Sequence, residues 1–301
     1  MDDDVASALA DAFPDREVAD VTSSGPSWNE KNHTVGVDFE DGETVYLKMA
    51  TDGDGTRITR ERAAIAYVSA NCDVAVPTVA ASDPDGAVPY LVTEAVAGRN
   101  LVEMWGEANP AERAAVARRI GESMARVHAR RFADHGHVVG GDAEGLELNA
   151  GSWTDVLVDR IEAWRDLATS DRFDHHFDEV ITAVEANREM LSDAPAALLH
   201  GDPAHPNCYL VDDDVGFLDW ELAYVGDPVR ELRRAHRIQF EPLRDPVPDE
   251  VITAFYDGYR GRAGGLPDGF DARTPVYDAV AFLGTSGYVD KYAEFLDESR
   301  A

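Results

Sequence analysis

The segment HGDPAHPN, at positions 200–207, joins two histidines, a carboxylate, an amide and two prolines directly after the apolar run AALL. Polar side chains of these types are rarely buried in a core, so the segment is either a rigid turn or a functional site. The residues that follow predict a hairpin, with the strands NCYLV and VGFLDWE on either side of an acidic turn. Such a hairpin brings Asn207 and Asp219 to the same end of two paired strands.

Asp202, Asn207 and Asp219 therefore supply three oxygen-bearing side chains in one region of the predicted structure. Oxygen ligands of this kind suit a hard cation such as Mg²⁺ better than they suit zinc. Because Mg²⁺ held by few protein ligands commonly binds substrate phosphates as well, the pattern indicates phosphoryl transfer. A polar turn whose side chains cap the backbone is the alternative interpretation.

Lys48 is the second chemical signal, because only three of the 27 lysine and arginine residues are lysines and this one lies mid-strand in VYLKMA. A lysine at such a position suggests a point charge for a phosphate oxygen. In the predicted helix 56–71, Glu61 shares one face with Ile58 and Ile65. A carboxylate on that inward face requires a cation, which predicts an ion pair with Lys48. An exposed, unrelated pair is the alternative.

The elements around these residues predict an α+β protein. Short strands and one helix fill about the first ninety residues, including a hairpin around the Asp-Gly turn at positions 41–42. Helical periodicity dominates after Gly98. Helices are predicted at 109–131, 153–167, 177–191, 228–238, 250–259 and 276–296. The predicted boundary lies after residue 95, with a small lobe at 1–95 and a larger helical lobe at 96–301.

The net charge of −31 disfavours nucleic acid and anionic membranes as partners. The acidic residues are spread along the whole chain, which is typical of adaptation to a very salty cytoplasm, whereas a specific cationic partner is the alternative. Two cysteines cannot build a disulfide framework, and no apolar run approaches the length of a membrane span. We therefore expect a soluble, cytoplasmic and halophilic protein, and its oligomeric state stays open.

From about Val18 to Leu232 the chain resembles the aminoglycoside phosphotransferase and choline kinase group of small-molecule kinases. The motifs that carry the resemblance are HGDPAHPN, FLDWE and GDPVREL. The resemblance implies a two-lobed protein-kinase-like fold, with a nucleotide-binding antiparallel-sheet lobe and a catalytic, substrate-binding helical lobe. It also implies ATP- and Mg²⁺-dependent phosphorylation of a hydroxyl group on a small molecule.

The same resemblance implies roles for individual residues. Asp202 would be the catalytic base, and Asn207 and Asp219 would hold Mg²⁺. Lys48 would contact the ATP phosphates, with Glu61 fixing its position. Backbone groups near Glu94 and Val96 are expected to contact the adenine. Ser27 and Asn29 are candidates in the phosphate-covering loop, which lacks GxGxxG.

The resemblance also implies supporting roles for His200, which would brace the loop, and for Asp227, which would start a helix. The acceptor is expected against the region of Trp153, Asp155 and Glu221. Two positions depart from the family pattern: Pro206 stands where relatives usually have glycine, and Glu231 where they usually have aspartate.

Several alternatives stay open at this point. The acceptor class could instead be choline or another amino alcohol, a sugar, or a hydroxylated amino acid. A catalytically silent ATP-binding regulatory module and a metal-dependent hydrolase are readings from other classes. The arginine-rich run RELRRAHR, positions 230–237, predicts a helix face that pairs with surface acids, with a phosphate-binding patch as its alternative.

Overall fold

The computed structural model describes residues 2–23, 31–240 and 247–287 of the chain. The chain forms two compact units of three segments each. Unit 1 comprises Met1–Glu107, Val138–Glu147 and His205–Ala223, and unit 2 comprises Ala108–His137, Leu148–Ala204 and Tyr224–Ala301. Unit 1 therefore includes two segments from later in the chain, and the predicted division of roles between residues 1–95 and 96–301 stays a prediction.

The helices are α1 (Asp3–Ala12), α2 (Thr56–Asn71), α3 (Leu101–Glu107), α4 (Pro110–His128), α5 (Trp153–Leu167), α6 (His175–Ala186), α7 (Arg188–Ser192), α8 (Pro228–Ala235), α9 (Asp249–Ala263) and α10 (Phe270–Gly287). The strands are β1 (Val18–Ser23), β2 (Asn32–Phe39), β3 (Thr44–Ala50), β4 (Val79–Asp83), β5 (Tyr90–Glu94), β6 (Arg99–Asn100), β7 (His135–Gly141), β8 (Leu146–Gly151), β9 (Ala197–Leu199), β10 (Cys208–Val211), β11 (Asp214–Phe217) and β12 (Tyr224–Gly226). Within the described ranges, no helix combines the length and the apolar character that crossing a lipid bilayer requires.

An antiparallel five-stranded sheet, in the order β1-β2-β3-β5-β4, forms the main layer of unit 1. Along β3, Leu47 and Met49 are buried in one core cluster with Val5 and Leu9 of α1. Because successive strand residues point to opposite faces, Lys48 lies on the other face from these two side chains. The hairpin predicted from the Asp-Gly turn and the helix predicted at 56–71 are both present.

A second, three-stranded sheet of unit 1 has the order β11-β10-β6. Cys208 pairs with Phe217, and the hairpin turn contains Asp212 at a φ of +52°. The backbone N–H of Leu218 donates to the carbonyl of Asn207 at 2.8 Å. This hairpin, predicted from the sequence, brings the segment that contains Asn207 next to the segment that contains Asp219.

Unit 2 is mainly helical, and α4 packs closely against α9. A Cβ atom on Gly121 would collide with the carbonyl of Phe255, and one on Gly258 would collide with that of Arg118. The two helices can approach this closely because both contact positions are glycine. Helix α8 begins as predicted, with Asp227 accepting from the Val229 N–H at 3.0 Å and a proline at its first turn.

The helix expected over 276–296 begins earlier, at Phe270, and its positions 288–296 lie outside the described residues. Three other predicted helices end earlier than their periodicity indicated, and the one expected over 109–131 ends at His128. The helix expected over 177–191 is interrupted at Asn187, whose φ and ψ of −103° and 14° separate α6 from α7. The helix expected over 228–238 is α-helical only to Ala235 and continues as a wider π-helical turn over His236–Phe240. The π-helical turn contacts the HGDPAHPN segment, because Gln239 donates a hydrogen bond to the backbone carbonyl of Pro203.

Candidate active site

Lys48 is the centre of an ion cluster in unit 1. Its Nζ atom lies 2.7 Å from Glu61, 2.5 Å from Asp219 and 2.8 Å from Glu221, measured to the nearest carboxylate oxygen of each. Glu61 is buried on the inner face of α2, as its helical spacing predicts. The Lys48–Glu61 ion pair expected from the sequence is therefore present, and two further carboxylates share the same ammonium group.

The surroundings shift the pKa values of both partners. Burial alone would lower the pKa of Lys48, but the charges of Asp219, Glu61 and Glu221 outweigh burial and hold that pKa well above its usual range. Burial raises the pKa of Glu61 to about 7; Lys48 opposes this rise, while Asp219 and Glu221 add to it. The ammonium group of Lys48 thus stays charged at neutral pH.

Glu221 connects this cluster to the sheet and to α2. Its carboxylate accepts hydrogen bonds from the side chains of Asn32 in β2 and Arg57 in α2, the latter at 2.9 Å. Its backbone carbonyl accepts from Arg60 at 3.0 Å. Only 5% of the Glu221 side chain is exposed. In this placement Glu221 positions Lys48 and the segment after Asp219. The placement gives no support to the predicted contact of Glu221 with the acceptor.

The donor set of unit 1 fits a divalent cation such as Mg²⁺. Carboxylate oxygens of Glu61, Asp219 and Glu221 lie within 4.8 Å of one another. Lys48 pairs with all three carboxylates, and Arg57 pairs with Glu221. Carboxylate oxygens are ligands that suit a hard cation. Asp219 also has a φ of +62°, a left-handed conformation that few non-glycine residues adopt and that is often found at functional sites.

The second group of predicted residues lies on the loop after β9 in unit 2. Gly201 has a φ of +91°, which a side chain would disfavour, and it lets the chain turn sharply before Asp202. Nδ1 of His200 accepts from the backbone N–H of Asp202 at 3.2 Å. His200 is therefore hydrogen-bonded within the loop, in keeping with the bracing role expected for it.

Glu231 fixes the same loop from α8. Its carboxylate accepts from the backbone N–H of His200 at 3.1 Å and from that of Gly201 at 2.6 Å. The ring of His128 lies 2.9 Å from the same carboxylate. Burial would raise the pKa of Glu231, but His128, His200 and the Gly201 N–H outweigh burial and lower it. The longer side chain that replaces the usual aspartate thus still reaches the loop backbone.

We expect Glu231→Gln to destabilise the protein by about 1–3 kcal/mol at neutral pH, because the amide cannot accept from several donors as a carboxylate does. The pKa of Glu231 is lower in the folded protein than in the unfolded chain, so its carboxylate stabilises the fold at pH values above the unfolded-state pKa, about 4.3. This stabilisation is lost as the pH falls through the folded-state pKa. Urea unfolding at neutral pH and at several values below pH ~4 measures both effects. Glu189→Gln, an exposed change on α7, is the control. A wild-type advantage that does not shrink in acid would contradict this role.

Asp202 itself pairs with an arginine. Nη2 of Arg234 on α8 lies 2.5 Å from Oδ1 of Asp202, and the two side chains are 12% and 30% exposed. The backbone carbonyl of Pro203 accepts a hydrogen bond from Gln239. The carboxylate is therefore held in one orientation while part of it remains accessible to a ligand.

The remaining predicted residues have varied surroundings. Glu94 ends β5 and donates its N–H to the Thr78 carbonyl at 2.9 Å, and the carbonyl of Val96 accepts from the Gly98 N–H at 3.0 Å. Asp227 is fully buried and pairs with Arg273 at 2.6 Å, which is a structural role. Ser27 and Asn29 lie outside the described residues.

Two of the residues expected near the acceptor have structural contacts in unit 2. Trp153 is 2% exposed and donates its indole N–H to the Tyr277 hydroxyl at 2.7 Å, within the core of the unit. Asp155 is on the surface and pairs with Arg188 at 2.8 Å. These placements give the predicted acceptor contacts no support. No local sequence pattern predicts the contact of Arg234 with Asp202 or those of Glu231 with the loop backbone, because only the tertiary structure brings these residues together.

Known proteins resemble this chain in sequence motifs and in fold. Residues 24–266 match the family described as the phosphotransferase enzyme family. No curated protein sequence matches the chain significantly. A protein from Haemophilus somnus 129PT, assigned as a fructosamine-3-kinase, has a TM-score of 0.65 at 18% identity, covering 95% of this chain and 90% of that one.

Two aminoglycoside phosphotransferase structures are also similar. A thermostable mutant of APH(4)-Ia has a TM-score of 0.64 at 16% identity, covering 95% of this chain and 92% of that one. The streptomycin–ATP–APH(2'')-IIa ternary complex has a TM-score of 0.57 at 13% identity, covering 94% and 87%. The protein-kinase-like α+β fold predicted from the sequence is confirmed.

Proposed function

Because the chain belongs to the phosphotransferase enzyme family, we propose that it transfers the γ-phosphate of ATP to a hydroxyl group of a small molecule in a Mg²⁺-dependent reaction. Membership in the family confirms the resemblance and the enzyme class, a small-molecule kinase, that the motifs predict. We further propose a cytoplasmic enzyme adapted to high salt, with neither nucleic acid nor membrane among its partners.

The observation that carries the proposal is the ion cluster of unit 1. A buried lysine that holds Asp219 and is fixed by Glu61 and Glu221 matches what phosphate binding needs: a preorganised cation beside oxygen ligands for a metal. In the proposed reaction Lys48 binds phosphate oxygens of ATP. Asn207 and Asp219 would hold Mg²⁺, which when bound supplies neutralisation of the phosphate charge.

Asp202 accepts the proton of the acceptor hydroxyl in this proposal. Glu231 and His200 hold the loop backbone, and Arg234 holds the carboxylate, so that Asp202 keeps one orientation as the hydroxyl oxygen attacks. ATP as the donor is supported by the relative whose structure contains streptomycin and ATP. An aminoglycoside, an amino alcohol, a sugar and a hydroxylated amino acid are all acceptor classes within the proposal.

We expect ATP turnover that depends on both an acceptor and Mg²⁺. The test measures ADP release at high salt with a panel of hydroxylated acceptors, first with Mg²⁺ and then after chelation with EDTA. Chelation should abolish transfer, and re-addition of Mg²⁺ should restore it. ATP hydrolysis that ignores the acceptor would instead favour a hydrolase, and tight ATP binding without any turnover would favour a regulatory module.

A further inference from the structure

Hydrogen bonds from α8 and from within the loop after β9 hold the backbone around Asp202. The N–H groups of the two residues before Asp202 donate to the Glu231 carboxylate. The N–H of Ala204 donates to the Asp202 carbonyl at 2.8 Å, which closes a three-residue turn with Pro203 at its centre. Because proline has no backbone N–H, the carbonyl is the backbone group through which a hydrogen bond can fix Pro203.

Gln239 supplies that hydrogen bond. Its side-chain amide donates to the carbonyl of Pro203, and the residue is 1% exposed. Three side chains in chain order therefore hold successive parts of the loop. Glu231 holds the backbone before Asp202. Arg234 holds the carboxylate of Asp202, and Gln239 holds the carbonyl of the residue after it.

The spacing between Arg234 and Gln239 does not suit an α-helix. An α-helix turns about 100° per residue, so five residues would place Gln239 about 140° around the helix from Arg234. The chain instead forms a π-helical turn over His236–Phe240. Hydrogen bonds in such a turn span five residues instead of four, so residues five apart come close to the same face. The π-helical turn therefore gives Gln239 the register in which it reaches the loop beside Arg234.

The π-helical turn is attached to α9 at both of its ends. Nδ1 of His236 lies 2.8 Å from the Tyr256 hydroxyl. The ring centroids of Phe240 and Phe255 are 5.1 Å apart, and both side chains are fully buried. Gln239 thus extends to the loop from a turn that packs against a second helix. Turns of this kind are rare and often occur at functional sites.

We propose that Gln239 is a positioning residue for Asp202 and that the π-helical turn sets the register through which it acts. Gln239 does not touch the reacting atoms; it holds the turn around Pro203, and that turn orients the Asp202 carboxylate toward the acceptor hydroxyl. This inference rests on the proposed function, in which Asp202 accepts the proton of that hydroxyl. A displacement of about 1 Å in a reacting group can cost about 100-fold in rate, so the loss of this hydrogen bond should be measurable.

Replacement of Gln239 by methionine removes the donor and keeps the length of the side chain. We expect kcat with a confirmed acceptor to fall by about 10- to 100-fold and the KM of ATP to stay unchanged. Ile238→Met is the matched control, because it places the same side chain on a half-buried residue of the same turn, and it should leave kcat unchanged. An unchanged kcat in Gln239→Met, or a rise in the KM of ATP alone, would overturn the proposal.

A double-mutant cycle with Asp202→Asn separates positioning from a general effect on the fold. If Gln239 acts through Asp202, Gln239→Met should lower kcat by less than about threefold in the Asp202→Asn background, because the base that it positions is already gone. A fold defect would instead lower kcat by the same factor in both backgrounds. Equal factors would therefore refute the positioning role.

The register is tested by interchanging two neighbouring side chains in Ile238→Gln/Gln239→Ile. Position 238 is four residues after Arg234 and would share its face in a continuous α-helix. The double variant keeps the composition of the turn, and we expect it to lose kcat as Gln239→Met does. A wild-type kcat in this variant would show that the π-helical register is not required, and would contradict the proposal.

Hydrogen exchange of the peptide that contains residues 200–204 tests the same contact without turnover. Gln239→Met should speed this exchange by about tenfold, the effect of one lost hydrogen bond, and Ile238→Met should not. Unchanged exchange in an active enzyme refutes only the inference, whereas a wild-type enzyme that turns over no acceptor refutes the proposed function. If Gln239→Met does not fold, Ile238→Gln/Gln239→Ile is subject to the same kcat and exchange predictions.

Discussion

Replacement of Asp202 by asparagine is expected to lower kcat for phosphoryl transfer by about 10²- to 10⁴-fold, the contribution of a positioned general base. The amide has nearly the same shape and its oxygen can still accept from Arg234, so the loop should keep its conformation. It cannot take up the proton of the acceptor hydroxyl. ATP binding, which we assign to Lys48 and unit 1, should be unchanged.

The measurement is the steady-state rate of ADP release with a confirmed acceptor, beside ATP affinity from calorimetry. Asp171→Asn, an exposed change ahead of α6, controls for the loss of one carboxylate. A kcat for Asp202→Asn within a few-fold of the wild type would show that the proton goes elsewhere. A parallel loss of ATP affinity would show instead that Asp202 acts in nucleotide binding.

The parts of the site that depend on local periodicity could be predicted from the sequence. Helical spacing alone places Glu61 on the buried face of α2, and a rare lysine in the middle of β3 identifies its partner. The hairpin pattern around the acidic turn brings together the segments of Asn207 and Asp219. In each case a few consecutive residues set the geometry, so no knowledge of distant contacts was needed.

The contacts that depend on tertiary packing could not be predicted in this way. Glu231 reaches backbone N–H groups of a loop some thirty residues earlier, and no side-chain pattern in the sequence signals such a contact. Arg233 pairs with Asp278, as the interpretation of positions 230–237 as a charged helix face predicts. Arg230 and Arg234 depart from it, because their side chains turn inward to Trp164.

Helix α1 and strand β7 could not be predicted from the sequence, for different physical reasons. Helix α1 follows an Asp2 N-cap and buries Val5, Ala8 and Leu9 at helical spacing. Because the helix is short and its apolar positions are few, this periodicity is a weak indication of a helix in the sequence. Strand β7 reads HGHVVGG, and its glycines give it a low strand propensity. Its pairing with β12, in which Tyr224 faces His137, comes from the tertiary fold.

Replacement of Lys48 by methionine is expected to destabilise the protein by about 3–5 kcal/mol, the cost of removing one partner of a buried ion pair. Without the ammonium group, the carboxylates of Glu61, Asp219 and Glu221 would face one another, and of these Arg57 pairs with Glu221. The pKa of Lys48 is raised on folding, so its stabilising contribution is complete below the unfolded-state value, about 10.4, and is lost only at higher pH. Urea unfolding at neutral pH therefore measures the full effect.

The same substitution should lower kcat/KM for ATP by about 10²- to 10³-fold, as expected when one preorganised charge is removed from a transferring phosphate. The double variant Lys48→Met/Glu61→Gln separates the role of Lys48 in stability from its proposed role in phosphate binding, because it removes a buried cation and a buried anion together. It should regain most of the lost stability and none of the activity. Arg99→Met, which breaks the exposed pair with Glu107, is the control and should change stability by less than about 1 kcal/mol. If the double variant recovered activity together with stability, Lys48 would be a structural cation and its proposed contact with phosphate would be wrong.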